Sequence, residues 1–185
     1  LNVKKQDPAI GRILEIVKER EAIGYSFDTA QASFELLARR ELGALPPFFE
    51  VKRYRVTVER RKNKYNKLVS LSEAVFVVKV DGEKKLSASE SMDEIGSDRG
   101  PVNALSKALT KDLGSYQNLI DDIKLVDFKV RITQGGTEAM TRVVIDSEDK
   151  NGVRWSTVGV SPNIVDASFE ALLDAINWKL VRDTS

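Results

Sequence analysis

The sequence predicts an α+β fold in which a small helical subdomain precedes two similar units, each of three strands and one helix. The spacing of apolar residues changes from a helical period to a period of two after Pro46-Pro47. The order strand, strand, strand, helix then occurs twice. The predicted boundaries are residues 1–44 for the helical subdomain and 45–185 for the following domain, with repeats over 48–118 and 119–185. Because one helix covers one sheet poorly, two units or two chains would have to pack together to complete the burial.

Two helices are predicted in the helical subdomain. Asp7 can cap a helix whose first turn holds Pro8, and apolar residues at helical spacing extend that pattern over residues 8–22. A second pattern extends over Asp28–Leu42, with Gly43 as its stop. The subdomain is therefore predicted to be a helical hairpin.

The first repeat begins with alternating apolar and polar residues over Arg53–Glu59, which is the pattern of a half-buried strand. Strands predicted over Ala74–Val80 and Lys85–Ser91 flank the turn Asp81-Gly82, a strong hairpin signal. A helix over residues 101–113 completes the repeat.

The second repeat has the same order. Phe128–Ile132 repeats the pattern of Tyr54–Val58, and strands are predicted over Met140–Asp146 and Val153–Val160. Pro162 is predicted to open the last helix in its first turn.

The last helix carries two apolar stripes. The larger stripe is predicted to be ordinary core, and its members are Val165, Phe169, Leu172, Ile176 and Leu180. The smaller stripe consists of Ala167, Ala171 and Ala175. Small residues permit close approach of another backbone, but alanine is also the best helix former, and propensity alone favours the second interpretation.

Composition narrows the classes of function. Lys and Arg number 29 against 28 Asp and Glu, so no global charge attracts nucleic acid or a membrane. The absence of cysteine excludes disulfides and thiolate chemistry, and the absence of histidine excludes a histidine-based triad. A metal site would need Asp and Glu oxygens. A freestanding enzyme is therefore the least favoured class.

The sequence also predicts a cytoplasmic location. No apolar run approaches the roughly 20 residues that span a bilayer, and the first residues contain no signal-type apolar segment. The start at Leu1 instead of methionine indicates a fragment of a longer protein.

A basic run over Arg60–Lys67 is the strongest signal for nucleic-acid binding. A helix over 28–42, three strands and a helix over 101–113 would give the element order of a double-stranded-RNA-binding domain. Two features oppose this alternative. The second repeat has no matching basic face, and the helix over 101–113 lacks the lysines expected at a phosphate-binding helix start.

Both predicted strand-to-helix turns lie beside glycine, at residues 96–101 and 159–163, and Gly135-Gly136 lies in a turn between two strands. Exposed N–H groups at such turns can hold a carboxylate. Glycine and proline are also ordinary punctuation of helices and hairpins, and the residues alone favour that interpretation.

Six segments cover nearly the whole chain and carry a family resemblance. They are GYSFDTAQASFELLARR (24–40), FFEVKRYRV (48–56), GPVNALSKAL (100–109), LVDFKVRI (125–132), GTEAMTRVVIDSED (136–149) and WSTVGVSPNIVDASFEALLDAI (155–176). Together they resemble the C-terminal part of the 2-isopropylmalate synthase and citramalate synthase family, and the citramalate synthase branch is the more similar.

The resemblance implies a role for each domain. Residues 1–44 would be a helical connecting subdomain, and 45–185 a regulatory domain of repeated βββα units that forms a homodimer. That domain would bind isoleucine or leucine and give feedback inhibition in branched-chain amino-acid biosynthesis. The parent protein would also have a catalytic barrel with a divalent metal that condenses acetyl-CoA with a 2-oxo acid. For this chain alone, the expectation is no enzymatic activity, no cofactor, and neither nucleic acid nor membrane as a partner.

The same resemblance implies a set of effector-binding residues. The aliphatic side chain of the effector would meet Val102, Leu125, Phe128, Ile132 and Val160. Its polar ends would lie near Gly100, Gly136, Ala139 and Pro162. Candidate acceptors for its ammonium group are Asp127, Glu138 and Asn163. Phe128 stands where the family commonly has a tyrosine, which leaves the choice between leucine and isoleucine open. The competing hypotheses are the RNA-binding module and a dimerisation domain that binds no ligand.

Overall fold

The computed structural model of the chain describes residues 8–94, 100–133 and 139–184. The chain divides into two compact units, one of Leu1–Pro46 with Asp122–Ser185 and the other of Pro47–Asp121. The helical subdomain thus packs with the second repeat, while the first repeat forms a unit of its own. The division into a connecting and a regulatory domain at residue 44 stays a prediction.

The predicted helical hairpin is present as α1 (Pro8–Ala22) and α2 (Gln31–Glu41). α1 has the predicted bounds, but α2 begins three residues later than predicted. The Asp28 carboxylate accepts a hydrogen bond from the Thr29 N–H at 3.0 Å and closes a turn before the helix. Gly43 has a φ of +63° and ends the hairpin as predicted, because glycine adopts this conformation without strain.

The unit formed by the first repeat is an antiparallel sheet of strand order β1-β2-β3 with one main helix. Its elements are β1 (Glu50–Lys62), β2 (Leu68–Val80), β3 (Glu83–Glu94), α3 (Pro101–Leu109), a 3₁₀ turn (Gly114–Tyr116) and α4 (Gln117–Ile120). The predicted turn between β2 and β3 is confirmed. Asp81 and Gly82 have φ values of 54° and 81°, as a type I′ turn requires.

α3 ends at Leu109, four residues before the predicted end. The side chain of Gln117 holds the next segment in a non-helical path. It accepts a hydrogen bond from the Leu113 N–H and donates one to the Thr110 carbonyl, each at 2.8 Å. Leu113 is nevertheless fully buried, as its place in the apolar stripe predicts.

The second repeat is an antiparallel sheet of order β4-β5-β6 followed by a long helix. Its elements are β4 (Lys124–Ile132), β5 (Thr141–Glu148), β6 (Arg154–Ser161) and α5 (Ile164–Thr184). Pro162 does not open α5, which corrects the prediction. The Asn163 side chain accepts a hydrogen bond from the Val165 N–H at 2.8 Å and caps the helix instead.

The alanine stripe of α5 packs closely against β6, so the interpretation from helix propensity was wrong. All three alanines are buried. The Thr157 hydroxyl donates a hydrogen bond to the Ala171 carbonyl at 2.8 Å. A Cβ atom at Gly159 would collide with the Ala167 carbonyl oxygen. Helix and strand therefore approach at a distance that only small residues permit.

The helical hairpin covers the other side of β6. The Val158 N–H donates to the Ser33 hydroxyl of α2 at 3.0 Å, and the Trp178 indole N–H of α5 donates to Glu35 of α2 at 2.9 Å. An apolar cluster fills the space between hairpin and sheet. Its buried members are Ile13, Tyr25, Phe27, Ala30, Leu37, Ala38, Val158 and Val160.

A buried charge cluster holds the last turns of α5. Lys179 is 2% exposed, and its ammonium lies 2.8 Å from Asp183, 3.1 Å from Asp122 and 3.6 Å from Asp149. Arg182 also pairs with Asp149. Burial opposes ionisation of Asp149, but hydrogen bonds from Arg182 and from backbone N–H groups prevail and lower its pKa to about 2.

The element order of the RNA-binding alternative is divided between the two units, since α2 belongs to one and β1–β3 with α3 to the other. The basic side chains of Arg60–Lys67 are exposed on β1 and on its turn to β2, where charge needs no special explanation. None of the helices in the described ranges is both long and apolar enough to cross a membrane.

Candidate functional site

The first strand of the second sheet, β4, has a face that lies beside α5. Phe128 of β4 lies opposite Ile145, which in turn lies opposite Thr157, and Thr157 bonds to α5. Residues directly opposite one another share a face of the sheet. Leu125, Phe128 and Ile132 therefore project from the face that α5 covers over β5 and β6. Leu125 and Ile132 remain exposed there, and Phe128 is half-buried. Three of the predicted effector residues are thus brought together on one face of β4.

This face of β4 is apolar and open. Ile132 is 72% exposed, and Leu125 and Val130 are each 41% exposed. β4 is also an outer strand of its sheet, with unpaired backbone groups along one edge. An exposed apolar patch on an edge strand marks a surface that a partner or ligand covers.

The predicted polar corner lies at one end of the same sheet. Thr141 lies opposite both Ile132 and Ser161, so the end of β4, the start of β5 and the end of β6 meet there. Ala139 lies two residues before β5, and Pro162 immediately follows β6. The structure therefore groups Ala139 and Pro162 near Ile132. Gly136 and Glu138 lie outside the described residues.

Val160 lies apart from the open face of β4. It is 7% exposed and belongs to the apolar cluster beneath the helical hairpin. Since side chains alternate along a strand, Val160 projects to the side opposite Thr157. Val160 is therefore not part of the open face of β4, where three of the predicted apolar contacts to an effector lie. Gly100 and Val102 belong to the other unit, where Gly100 caps α3 and Val102 is half-buried.

The remaining candidates for an ammonium acceptor already have partners. The Asp127 carboxylate lies 2.7 Å from the Lys129 ammonium. Asp127 is opposite Asp146 in the register, so it lies on the other face of the sheet from Phe128. The side-chain oxygen of Asn163 caps α5. Among the residues that the structure describes, no group of three or more acidic side chains is arranged to hold a metal ion.

A polar cleft of about 250 Å³ that no residue pattern had indicated lies between the helical hairpin and α5. The Tyr25 hydroxyl lies 2.6 and 2.7 Å from the two carboxylate oxygens of Glu170. Arg20 donates a hydrogen bond to the Tyr25 oxygen at 2.6 Å. Tyr25 and Glu170 are 145 positions apart, so no local spacing could have indicated their contact.

Asp174 lies in the same cleft and has an unusual ionisation. Its side chain is 14% exposed, and the Arg40 guanidinium lies 3.8 Å away. Burial raises the pKa of Asp174 to about 7, although a hydrogen bond from Ser33 and the charge of Arg40 act in the opposite direction. The cleft therefore contains a carboxyl group that changes charge near neutral pH.

Comparison with known proteins identifies the family. Residues 28–180 match the model of the LeuA allosteric (dimerisation) domain. The chain belongs to this family. The resemblance inferred from the sequence and the predicted α+β fold with two βββ units and helices are both confirmed.

Relatives match over nearly the whole chain. An (R)-citramalate synthase from Geobacter sulfurreducens is 44% identical over 182 residues, which are 97% of this chain and 32% of the relative. One from Aquifex aeolicus is 36% identical over 99% of this chain and 33% of the relative. A 2-isopropylmalate synthase from Clostridium kluyveri is 30% identical over 100% of this chain and 30% of the relative. The chain thus spans about a third of the length of these relatives, and the citramalate synthases are the more similar.

Proposed function

We propose that this chain is the regulatory and dimerisation region of a citramalate synthase or 2-isopropylmalate synthase in branched-chain amino-acid biosynthesis. The observation that carries the proposal is the match of 97% of the chain to 32% of an (R)-citramalate synthase, within a family described as an allosteric domain. The remainder of the parent would hold the barrel that condenses acetyl-CoA with a 2-oxo acid at a divalent metal. The parent would act in the cytoplasm, with isoleucine or leucine as feedback inhibitor.

The proposed effector site is the open face of β4 together with the adjoining corner of the sheet. Leu125, Phe128 and Ile132 supply an apolar surface that suits a branched aliphatic side chain. The corner formed by half-buried Ala139 and exposed Pro162 suits the polar end of an amino acid. Gly100, Val102, Gly136 and Val160 are effector residues that only the family resemblance implies, and they stay predictions.

The proposed partner is a second copy of the chain. The open apolar face of β4 is also the surface in the second repeat that a homodimer would cover. A two-fold interface would bring the same patch from both copies together. An effector bound there would be enclosed by the association that the domain provides.

Titration calorimetry of the 185-residue chain with isoleucine, leucine and valine tests effector binding. We expect heat from isoleucine or leucine, and weaker binding to the variant Ile132→Ala, by roughly 10-fold for the loss of buried apolar contact. Leu14→Ala is the matched control, because Leu14 is an exposed apolar residue on α1. The absence of heat from all three amino acids would remove the effector proposal.

The second candidate is a dimerisation domain that binds no ligand, and the burial of Val160 beneath the hairpin favours it. Sedimentation of the same samples separates the two candidates. A dimer that gives no heat with any amino acid would establish the second candidate. The variant Val130→Lys should weaken the dimer in either case, whereas Val153→Lys, at an exposed residue outside β4, should not.

A further inference from the structure

One carboxylate connects the end of β6 to the helical hairpin. Glu170 of α5 accepts a hydrogen bond from the Val160 N–H at 3.1 Å. The same carboxylate receives the Tyr25 hydroxyl at 2.6 Å and the Arg20 guanidinium at 3.4 Å. Val160 lies two residues before Pro162. Pro162 and Ala139 form the corner of the sheet that is proposed to hold the polar end of the effector, which we call the effector corner. Glu170 therefore contacts both the hairpin and the strand that leads into this corner.

The hairpin side of this connection is well held. The Arg20 guanidinium lies 4.9 Å from the centre of the Tyr25 ring, which also stacks on Phe27 at 5.7 Å. Burial and the hydrogen bond to Glu170 raise the pKa of the Tyr25 hydroxyl. The hydroxyl therefore remains a donor to Glu170 throughout the usual pH range.

The loop of the hairpin also contacts the end of β4. Gly24 has a φ of +116°, and a Cβ atom placed there would lie 2.5 Å from the Thr133 hydroxyl oxygen. The Thr133 N–H in turn donates to the Met140 carbonyl at 2.8 Å, next to Ala139. The loop thus lies against Thr133, the residue that follows β4, and Tyr25 links it through Glu170 to the end of β6.

We propose that the Gly24-Tyr25 loop and Glu170 couple the effector corner to the position of the helical hairpin. This inference rests on the proposed function, because it needs an effector that orders the ends of β4 and β6. Ordering of these two ends holds Thr133 and the Val160 N–H in place. The contacts of Thr133 with Gly24 and of Val160 with Glu170 then favour the docked hairpin, which is the hairpin in its position against β6. Coupling requires that the effector bind the docked state more tightly than the undocked state.

Hydrogen exchange measured by mass spectrometry tests the coupling in the 185-residue chain. We expect isoleucine or leucine to slow the exchange of amides in α1, α2 and the loop between them. In Tyr25→Phe the ring remains but its hydrogen bond to Glu170 is lost, so this response should disappear. By linkage, the affinity for the effector should fall by the coupling factor, which is roughly 5- to 150-fold for typical allosteric proteins. Tyr65→Phe is the matched control, since Tyr65 is 69% exposed in the turn between β1 and β2.

Two results would overturn the coupling while the proposed function stands. One is effector binding without any change in hairpin exchange in the unmodified chain. The other is a response that persists in both Tyr25→Phe and Glu170→Gln, the second variant that weakens the connection. Circular dichroism would first establish that both variants are folded.

A ligand-free measurement keeps the inference testable if no amino acid binds and the proposed function fails. Loss of the Tyr25 hydroxyl leaves Glu170 less well held, so amides at the end of β6, including Val160, should exchange faster in Tyr25→Phe than in Tyr65→Phe. Equal exchange rates at the end of β6 would show that the hairpin and this strand are not coupled.

Discussion

The two repeats of this chain share an element order but are stabilised differently. α3 has 9 residues and packs on its own sheet, whereas α5 has 21 residues. The first 9 residues of α5 end at Leu172, so Asp174 and Lys179 have no counterpart on α3. The additional length carries the buried charges and part of the contact with α2. The comparison shows that one supersecondary pattern can serve as a simple sheet cover or as the centre of a larger unit.

The ion pairs of the two units show the same contrast. In the first repeat, Lys85 and Asp112 pair at 3.0 Å with side chains 27% and 50% exposed. In the second, Lys179 and Asp149 are almost fully buried. Water screens the first pair and is excluded from the second, so the two pairs should contribute very differently to stability.

The largest expected effect is that of Gly159→Ala, which tests the close approach of α5 and β6. The new Cβ atom would collide with a backbone carbonyl that cannot rotate away, so we expect a loss of about 3 kcal/mol or more in the free energy of unfolding. Urea unfolding followed by tryptophan fluorescence measures it, because Trp155 and Trp178 both lie in the unit that contains the second repeat.

Gly11→Ala is the matched control for that change. A Cβ atom at Gly11 would meet nothing within 4 Å, and alanine is a better helix former than glycine. Unchanged or slightly higher stability is expected. If Gly159→Ala unfolded at the same urea concentration as Gly11→Ala, the close contact between helix and strand would be disproved.

The next largest effect is expected for Lys179→Met. Methionine fills a similar volume but leaves Asp122, Asp149 and Asp183 without the shared ammonium group. Removal of one partner from a buried charge cluster costs about 3 to 5 kcal/mol, and the lower end of that range is expected because Arg182 still pairs with Asp149. Urea unfolding followed by circular dichroism reports both units. Lys85→Met should cause a clearly smaller loss, and equal losses would contradict the difference between the two units.

The smallest effect is expected for Asp174→Asn, and it depends on pH. The pKa of Asp174 is raised from 3.8 to about 7, so the folded chain retains a proton that the unfolded chain releases. This group's contribution to stability is fully present below pH 3.8 and declines as pH rises towards about 7. Because asparagine remains neutral, the variant should be more stable than the unmodified chain at pH 8, by between about 1 and 4 kcal/mol.

Unfolding by urea at pH 4 and pH 8 measures that difference, which should nearly vanish at pH 4. Glu19→Gln, at an exposed position of α1, is the control for removal of a carboxylate from the same unit. An advantage of Asp174→Asn that is the same at both pH values would show that burial does not control this carboxyl group.

Local signals predicted the parts of the fold that depend on a few neighbouring residues. The bounds of α1 and the turn at Asp81-Gly82 follow from helical spacing and from the preference for positive φ. The starts of α2 and α5 were predicted less well, because the side chains of Asp28 and Asn163 compete for backbone N–H groups in ways that spacing does not reveal.

The candidate site was predicted in part. Leu125, Phe128 and Ile132 share a face because a strand alternates, with one irregularity after Leu125. The burial of Val160 could not be predicted, since alternation places a residue on a face but does not say which element covers that face. The contact of Tyr25 with Glu170 was missed because it too depends on which elements meet in the tertiary structure.

The sequence by itself determined the order of the elements, their repetition and the family, because these are properties of local pattern and residue identity along the chain. Only the tertiary structure decided that the helical hairpin covers β6, that alanines of α5 approach the backbone of Gly159, and that Lys179 is buried while Asp174 lies in a cleft. The physical reason is that burial and charge depend on which surfaces meet, and those surfaces come from residues far apart in sequence.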